Sequence, residues 1–94
     1  MPLTYTFTVD AVGNDEAVTA QSDCHRITIF ENAQTGTADY TVRRPDSISA
    51  AVTIPAGAKH VFERMNGATA FRRGQIVGYV AAASGSMTFA QVED

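Results

Sequence analysis

The sequence has 94 residues, of which 45% are hydrophobic and 18% are charged, with a formal net charge of −3 at pH 7. This acidic balance argues against general nucleic-acid binding and against electrostatic docking on an anionic membrane, because both need clustered cations. A single cysteine, Cys24, excludes an intrachain disulfide and suits a reducing compartment.

The first ten residues, MPLTYTFTVD, contain no basic region followed by a long apolar run. We therefore expect neither a signal peptide nor a membrane span, and we expect folding in the cytoplasm. Within this stretch, LTYTFTV alternates between apolar residues and threonines, which predicts a half-buried strand. The apolar face comprises Leu3, Tyr5, Phe7 and Val9, and the hydroxyl face comprises Thr4, Thr6 and Thr8.

Strand-like segments follow along the rest of the chain. They are AVTAQSD at 17–23, CHRITIFEN at 24–32, ADYTVRR at 38–44, SISAAVTI at 47–54, KHVFERM at 59–65, QIVGYVAAA at 75–83 and MTFAQVE at 87–93. Turn residues separate them, chiefly Pro45-Asp46, Pro55-Ala56-Gly57, Asn66-Gly67, Gly74 and Ser84-Gly85-Ser86. In 38–44 the pattern places Ala38, Tyr40 and Val42 on one face; in 47–54 it does the same for Ile48, Ala50, Val52 and Ile54.

These observations predict an all-β fold of about seven to eight short antiparallel strands, spaced about 8–12 residues apart as in a sandwich or barrel. A chain of this length has room for one core, so we expect residues 1–94 to form a single domain. We predict a compact β-sandwich of the jelly-roll type. An immunoglobulin-like sandwich is disfavoured, because the cysteine pair and the tryptophan that mark that domain are missing.

The sequence offers few residues for catalysis or metal binding. Cys24, His25 and His60 are the one potential set of metal ligands, but neighbouring residues of a strand point to opposite faces. No nucleophile motif surrounds Cys24, so a catalytic set with His60 and an aspartate is not supported. Glu93 and Asp94, at the end of the sequence, are expected to be solvated. We therefore expect no enzymatic activity, no catalytic residue, no metal and no cofactor.

Two arginine pairs, Arg43-Arg44 and Arg72-Arg73, hold four of the seven cations and lie at strand ends. They either prevent strand edges from pairing with other molecules or bind carboxylates of a neighbouring subunit. Gly78 interrupts an apolar strand, which indicates a β-bulge or a close backbone approach, either to another surface or within a tightly packed two-sheet core. The candidate interface residues are Arg43, Arg44, Arg72, Arg73, Gly78 and Tyr79.

The runs YTVRRPDSISAAVTIPAG and FRRGQIVGYVAAASGSMTFAQVE resemble small all-β structural proteins of tailed bacteriophage virions, of the head decoration or cement type. The resemblance spans residues 37–93 and rests on short strands, abundant alanine, threonine and glycine, and Pro-x-Gly turns. It implies a non-enzymatic protein that binds the major capsid protein or other virion proteins as a homo-oligomer, often a trimer. It further implies a place in the virion after assembly in the host cytoplasm, with no nucleic-acid or membrane partner.

Two other functions remain open at this point. A ligand-binding sandwich, specific for a carbohydrate or a receptor, needs a concave pocket or an exposed aromatic platform. The sequence has no tryptophan, and its three tyrosines fall on faces with an apolar pattern. A small cupin-like enzyme needs several histidine and carboxylate ligands inside a barrel, and this chain has two histidines.

Overall fold

The computed structural model describes residues 3–10, 14–32, 38–46, 50–63, 70–83 and 85–94. These residues form eight β-strands: β1 (Leu3–Val9), β2 (Asp15–Thr19), β3 (Arg26–Glu31), β4 (Tyr40–Arg43), β5 (Val52–Ile54), β6 (His60–Glu63), β7 (Ile76–Ala82) and β8 (Met87–Glu93). The prediction of an all-β chain with seven to eight strands is confirmed. The described segments contain no helix with the length and hydropathy needed to span a bilayer.

The strands form two four-stranded sheets, with the orders β1-β8-β3-β6 and β2-β7-β4-β5. Every pairing in both sheets is antiparallel. The chain changes sheet at each connection except the one from β4 to β5. This order is that of an eight-stranded jelly roll, so the predicted β-sandwich is confirmed and its strand order is now defined.

The core lies between the inner faces of the two sheets. Phe89 on β8 is fully buried, and its ring stacks on Phe7 at 5.4 Å and contacts Tyr40 edge-on at 5.0 Å, measured between ring centroids. Both geometries are favourable for aromatic pairs. The other large side chains that are fully buried among the described residues are Tyr40, Ile27, Ile29, Val9, Val18 and Val80. The threonines of β1 are exposed, as the alternation predicts.

The turn at Pro55-Ala56-Gly57 joins β5 to β6, as predicted. Gly57 has a φ of 84°, a conformation that glycine adopts without steric cost. The N–H of Ala58 donates to the carbonyl oxygen of Pro55 at 3.0 Å, and the N–H of Ala56 donates to Oδ1 of Asp39 at 2.9 Å. The turn is therefore held by both the backbone and a side chain from the segment before β4.

The segment that contains β5 differs from its prediction. β5 comprises Val52–Ile54 alone, and within it Ile54 is buried whereas Val52 is exposed. Ala50 is also exposed, so the predicted common core face does not extend along the segment. Ile48 and the predicted turn at Asn66-Gly67 lie outside the described residues.

Candidate functional site

A cleft of about 720 Å³ opens between the edge strands β5 and β6, which belong to different sheets. We call it the β5–β6 cleft. Its lining comes from the end of β4 and the residues after it, from β5 and β6, and from the start of β7 and the segment before it. The lining residues are Val42, Arg43, Arg44, Pro45, Ala50, Val52, His60, Val61, Phe62, Glu63, Phe71, Gln75, Ile76 and Val77.

Exposed apolar side chains are concentrated at this cleft. Four large hydrophobic residues of the described part are exposed, and three of them line the cleft: Val52 at 58%, Val61 at 43% and Ile76 at 40%. Single exposed apolar residues are ordinary on protein surfaces, whereas a cluster of them marks an interaction site. The cleft is therefore the strongest candidate binding site in the described part of the chain.

Arg43 and Arg44 lie at the rim of the β5–β6 cleft. Nη2 of Arg43 is 2.7 Å from Oδ2 of Asp15, and its guanidinium lies 4.3 Å from the centroid of the Tyr79 ring. The ion pair and the ring together orient this guanidinium. Among the described residues, the guanidinium of Arg44 has no carboxylate partner, so its charge is available to another molecule.

Arg72 and Arg73 lie in the turn that precedes β7. The N–H of Gln75 donates to the carbonyl of Arg72 at 2.9 Å, and the N–H of Arg73 donates to Oδ1 of Asp23 at 2.9 Å. Both arginines are exposed, whereas Gln75, which closes the turn, lines the cleft. The structure therefore places the second arginine pair beside the cleft that Arg43 and Arg44 border.

Gly78 is buried in β7 and faces Phe62 of the opposite sheet. A Cβ atom at this position would lie 2.5 Å from Cε1 of Phe62 and 2.9 Å from the carbonyl oxygen of Arg43. The pairing of β2 with β7 also shifts register between Val18 and Thr19. Of the two alternatives predicted for Gly78, a bulge or a close backbone approach, the close approach is confirmed. The atoms that approach Gly78 belong to the same molecule, and Gly78 is buried between the two sheets. Its selection as an interface residue had implied a position on the surface.

Tyr79 lies on the outer face of the second sheet, where it is half-buried beneath Arg43. Its strand neighbours in the ladder are Ala17 on one side and Arg43 on the other. The sequence pattern placed Tyr79 on an apolar-looking face, whereas in the structure its ring lies against the guanidinium of Arg43. The interface roles proposed for Tyr79 and for the four arginines stay predictions.

The candidate metal and nucleophile residues do not form a site. Within the described ranges, no three histidine, cysteine, aspartate or glutamate side chains lie close enough to hold a metal ion together. Cys24 is buried and pairs with Phe71 in an isolated β-bridge. Burial raises the pKa of the Cys24 thiol, and the nearby charges of Glu93 and Asp23 raise it further. A raised pKa reduces the thiolate fraction and hence the nucleophilicity of this cysteine.

Glu93 is a buried carboxylate that sequence reasoning missed. It is 2% exposed, and its Oε2 accepts hydrogen bonds from the N–H of Gln21 and from Nε2 of Gln91, both at 2.7 Å. Its Oε1 accepts a hydrogen bond from Oγ of Ser22 at 2.5 Å. The expectation of a solvated carboxylate is therefore wrong for Glu93, although Asp94 is exposed. The network ties β8 to the segment after β2.

His60 lines the cleft, and its ring contacts Phe62 edge-on with 4.7 Å between centroids. Burial lowers the pKa of His60 from its ordinary value of 6.5. As the pH falls below 6.5, the unfolded chain binds a proton at this residue more readily than the folded chain does. The free energy of unfolding is therefore highest above pH 6.5 as far as His60 is concerned, and it decreases as the pH falls from 6.5 toward the lowered pKa of this residue.

We expect His60→Gln to flatten the dependence of Tm on pH between about pH 5 and pH 7, the range in which histidine titrates. Thermal unfolding followed by circular dichroism measures this slope. His25→Gln is the matched control, because His25 is exposed and does not line the cleft, and His60→Gln should flatten the slope more than this control does. An unchanged slope in His60→Gln would contradict the prediction.

Comparison of this chain with protein-family models, with curated proteins and with solved structures finds no match. The function is therefore inferred from the geometry and chemistry of the cleft.

Proposed function

We propose that this chain is a non-enzymatic structural protein of a phage virion, which binds the capsid lattice as a decoration or cement protein. The observation that carries the proposal is the cluster of exposed Val52, Val61 and Ile76 in one cleft bordered by Arg43 and Arg44. An apolar centre with a charged rim is typical of protein–protein interfaces, where arginine is enriched. The jelly-roll strand order is also one that viral capsid domains use.

In this proposal, an apolar segment of a virion protein occupies the β5–β6 cleft and carboxylates beside that segment meet the arginines. The guanidinium of Arg44 has no carboxylate partner among the described residues and can form such a pair, whereas that of Arg43 is held by Asp15 and Tyr79 on the outer face of the second sheet. Arginine and carboxylate form bidentate hydrogen bonds, which fix the orientation of the partner as well as adding affinity. The partner is the major capsid protein or another virion protein.

The proposal includes a homo-oligomer, with a trimer at a symmetry axis of the lattice. A cleft of this size on a small domain gives a modest interface, and several linked copies bind a repeating lattice more tightly than one copy does. The protein would be located in the virion, after assembly in the host cytoplasm. No nucleic acid, membrane or cofactor takes part.

Co-sedimentation with assembled phage capsids that have been stripped of their decoration proteins tests the proposal. We expect the wild-type protein to pellet with the capsids of at least one phage in a panel, and Arg44→Glu to bind about tenfold more weakly, because it reverses a rim charge. Lys59→Glu is the matched control, since Lys59 is exposed and its ammonium lies over the ring of Phe30 on another face. Absence of wild-type binding across the panel would reject the proposal.

A second candidate function is the binding of a carbohydrate or a receptor ligand in the same cleft. The volume of the cleft and the polar groups of His60, Glu63 and Gln75 in its apolar lining favour this alternative, because small-ligand sites are concave and carry few polar groups. A glycan array distinguishes the two. Wild-type binding that is lost in Gln75→Ala supports the alternative, and an array without hits counts against it.

A further inference from the structure

The strand β1 presents an edge that nothing in the described part of the chain covers. It pairs with β8 along one side, in a continuous register from Leu3↔Glu93 to Val9↔Met87, and it is the last strand of its sheet on the other side. Its sequence, LTYTFTV, contains no charged residue, no proline and no glycine. A regular, uncharged edge of this kind is a template for pairing with another strand.

The other three sheet edges carry features that prevent such pairing. β2 begins with Asp15 and Glu16, and its register with β7 is irregular. β5 has three residues and is followed directly by Pro55. β6 has four residues and ends at Glu63, which pairs with Arg26. Charges, irregular pairing, proline and short length are the devices by which proteins block edge strands, and β1 has none of them.

The sequence of β1 is complementary to itself in the antiparallel direction. If two copies pair about Thr6, this residue faces its own copy, Tyr5 faces Phe7, and Leu3 faces Val9. Aromatic residues then meet aromatic residues, aliphatic residues meet aliphatic residues, and threonines meet threonines. Such cross-strand pairs stabilise a sheet. A shift by one residue would place threonines on the core side, so this register is favoured.

The inner side of the β1 edge has apolar surface that the described segments of the chain leave uncovered. Leu3 is 47% exposed, and Tyr5 and Phe7 are half-buried. A small pocket of about 250 Å³ lies beside them, with Gln91 and residues of β2 in its lining. An aromatic side chain of a second copy, placed across the strand pair, would cover this surface. The pattern of exposure therefore agrees with the self-complementary register.

We infer that two copies of this chain associate by antiparallel pairing of their β1 strands about a two-fold axis at Thr6. The first sheets of the two molecules then form one continuous sheet of eight strands, which ends on both sides at the protected strand β6. This interface is isologous and closed, so it gives a dimer and no filament. The inference does not rest on the proposed function, and a lattice trimer would use a different surface.

Light scattering and sedimentation velocity across a range of concentrations test the dimer. We expect a monomer–dimer equilibrium for the wild-type protein and a dissociation constant about tenfold or more higher for Thr6→Lys and for Thr6→Glu, because each places like charges directly opposite each other. An equimolar mixture of the two variants should restore the dimer. Thr53→Lys is the matched control, because Thr53 is exposed on the edge strand β5 and lies outside the interface.

A cross-linking experiment keeps the inference testable if the charged variants do not fold. Opposite residues of an antiparallel pair have Cα atoms about 4.5–5.5 Å apart, which is within the range that a disulfide spans. Thr6→Cys should therefore form a covalent dimer on mild oxidation, whereas Thr53→Cys and the wild-type protein, whose Cys24 is buried, should not. A wild-type monomer at every concentration, or equal cross-linking of Thr6→Cys and Thr53→Cys, would overturn the inference.

Discussion

Replacing Glu93 by alanine is expected to lower the free energy of unfolding by about 3–4 kcal/mol, since a buried network loses its acceptor. The N–H of Gln21, Oγ of Ser22 and Nε2 of Gln91 all donate to this carboxylate. Hydrogen bonds to an ionised acceptor are stronger than neutral ones, and Nε2 of the buried Gln91 would keep only its hydrogen bond to the carbonyl of Thr19. For a domain of this size, we expect Tm to fall by about 15–25 °C.

Chemical denaturation and thermal unfolding of three variants measure this effect. Glu93→Gln keeps the shape of the side chain but turns one acceptor into a donor, so we expect an intermediate loss of stability. Asp94→Ala is the control on the adjacent residue: its carboxylate is exposed and lies 3.8 Å from Arg26, and such pairs contribute less than about 1 kcal/mol. Equal stabilities for Glu93→Ala and Asp94→Ala would show that the network is not stabilising.

Gly78→Val is expected to lower the free energy of unfolding by about 3 kcal/mol, through overpacking of the space between the sheets. The Cβ atom of a residue at position 78 would lie 2.5 Å from Cε1 of Phe62 and 2.9 Å from the carbonyl oxygen of Arg43. The ring of Phe62 can rotate away in part, whereas the backbone of β4 is held in its ladder with β7. Because Phe62 lines the β5–β6 cleft, we also expect weaker binding of any ligand of that cleft.

A double-mutant cycle separates this clash from the intrinsic effect of valine in a strand. Phe62→Ala removes the ring, so the double variant with Gly78→Val should be destabilised by less than the sum of the two single changes. Ala17→Val is the matched control: Ala17 lies opposite Tyr79 on the outer face of the sheet, so added carbons do not enter the space between the sheets. Additive effects in the cycle would mean that Phe62 does not restrict position 78.

Much of the fold was predictable because its determinants are local. The alternation in β1 predicts exposed threonines opposite Phe7 and Val9, and the same rule correctly places Tyr40 and Val42 in the core. The turn at Pro55 depends on a few adjacent residues and was predicted as well. A close approach at position 78 was predicted as well, but its neighbour Phe62 was not, because that residue lies in the other sheet.

The features that sequence reasoning missed depend on contacts between distant parts of the chain. Glu93 accepts hydrogen bonds from Gln21 and Ser22, which precede it by 72 and 71 positions in the sequence. No local sequence pattern links these two segments. The exposure of Val52 has a similar origin, because β5 is a short edge strand beside an open cleft. The arginine pairs were identified from charge and position, whereas the contacts of Arg43 with Asp15 and Tyr79 required the strand order.

The position of β8 has a consequence for how the molecule reaches its folded state. The last strand of the sequence lies between β1 and β3, two strands from the first third of the chain. The first sheet therefore cannot assemble by successive hairpins, and its central ladder forms after a long segment of chain has closed into a loop. Topologies dominated by such distant pairings fold on timescales of about milliseconds to seconds. Before β8 inserts, the edges of β1 and β3 that it covers in the folded state are unpaired, and unpaired strand edges can pair with other molecules.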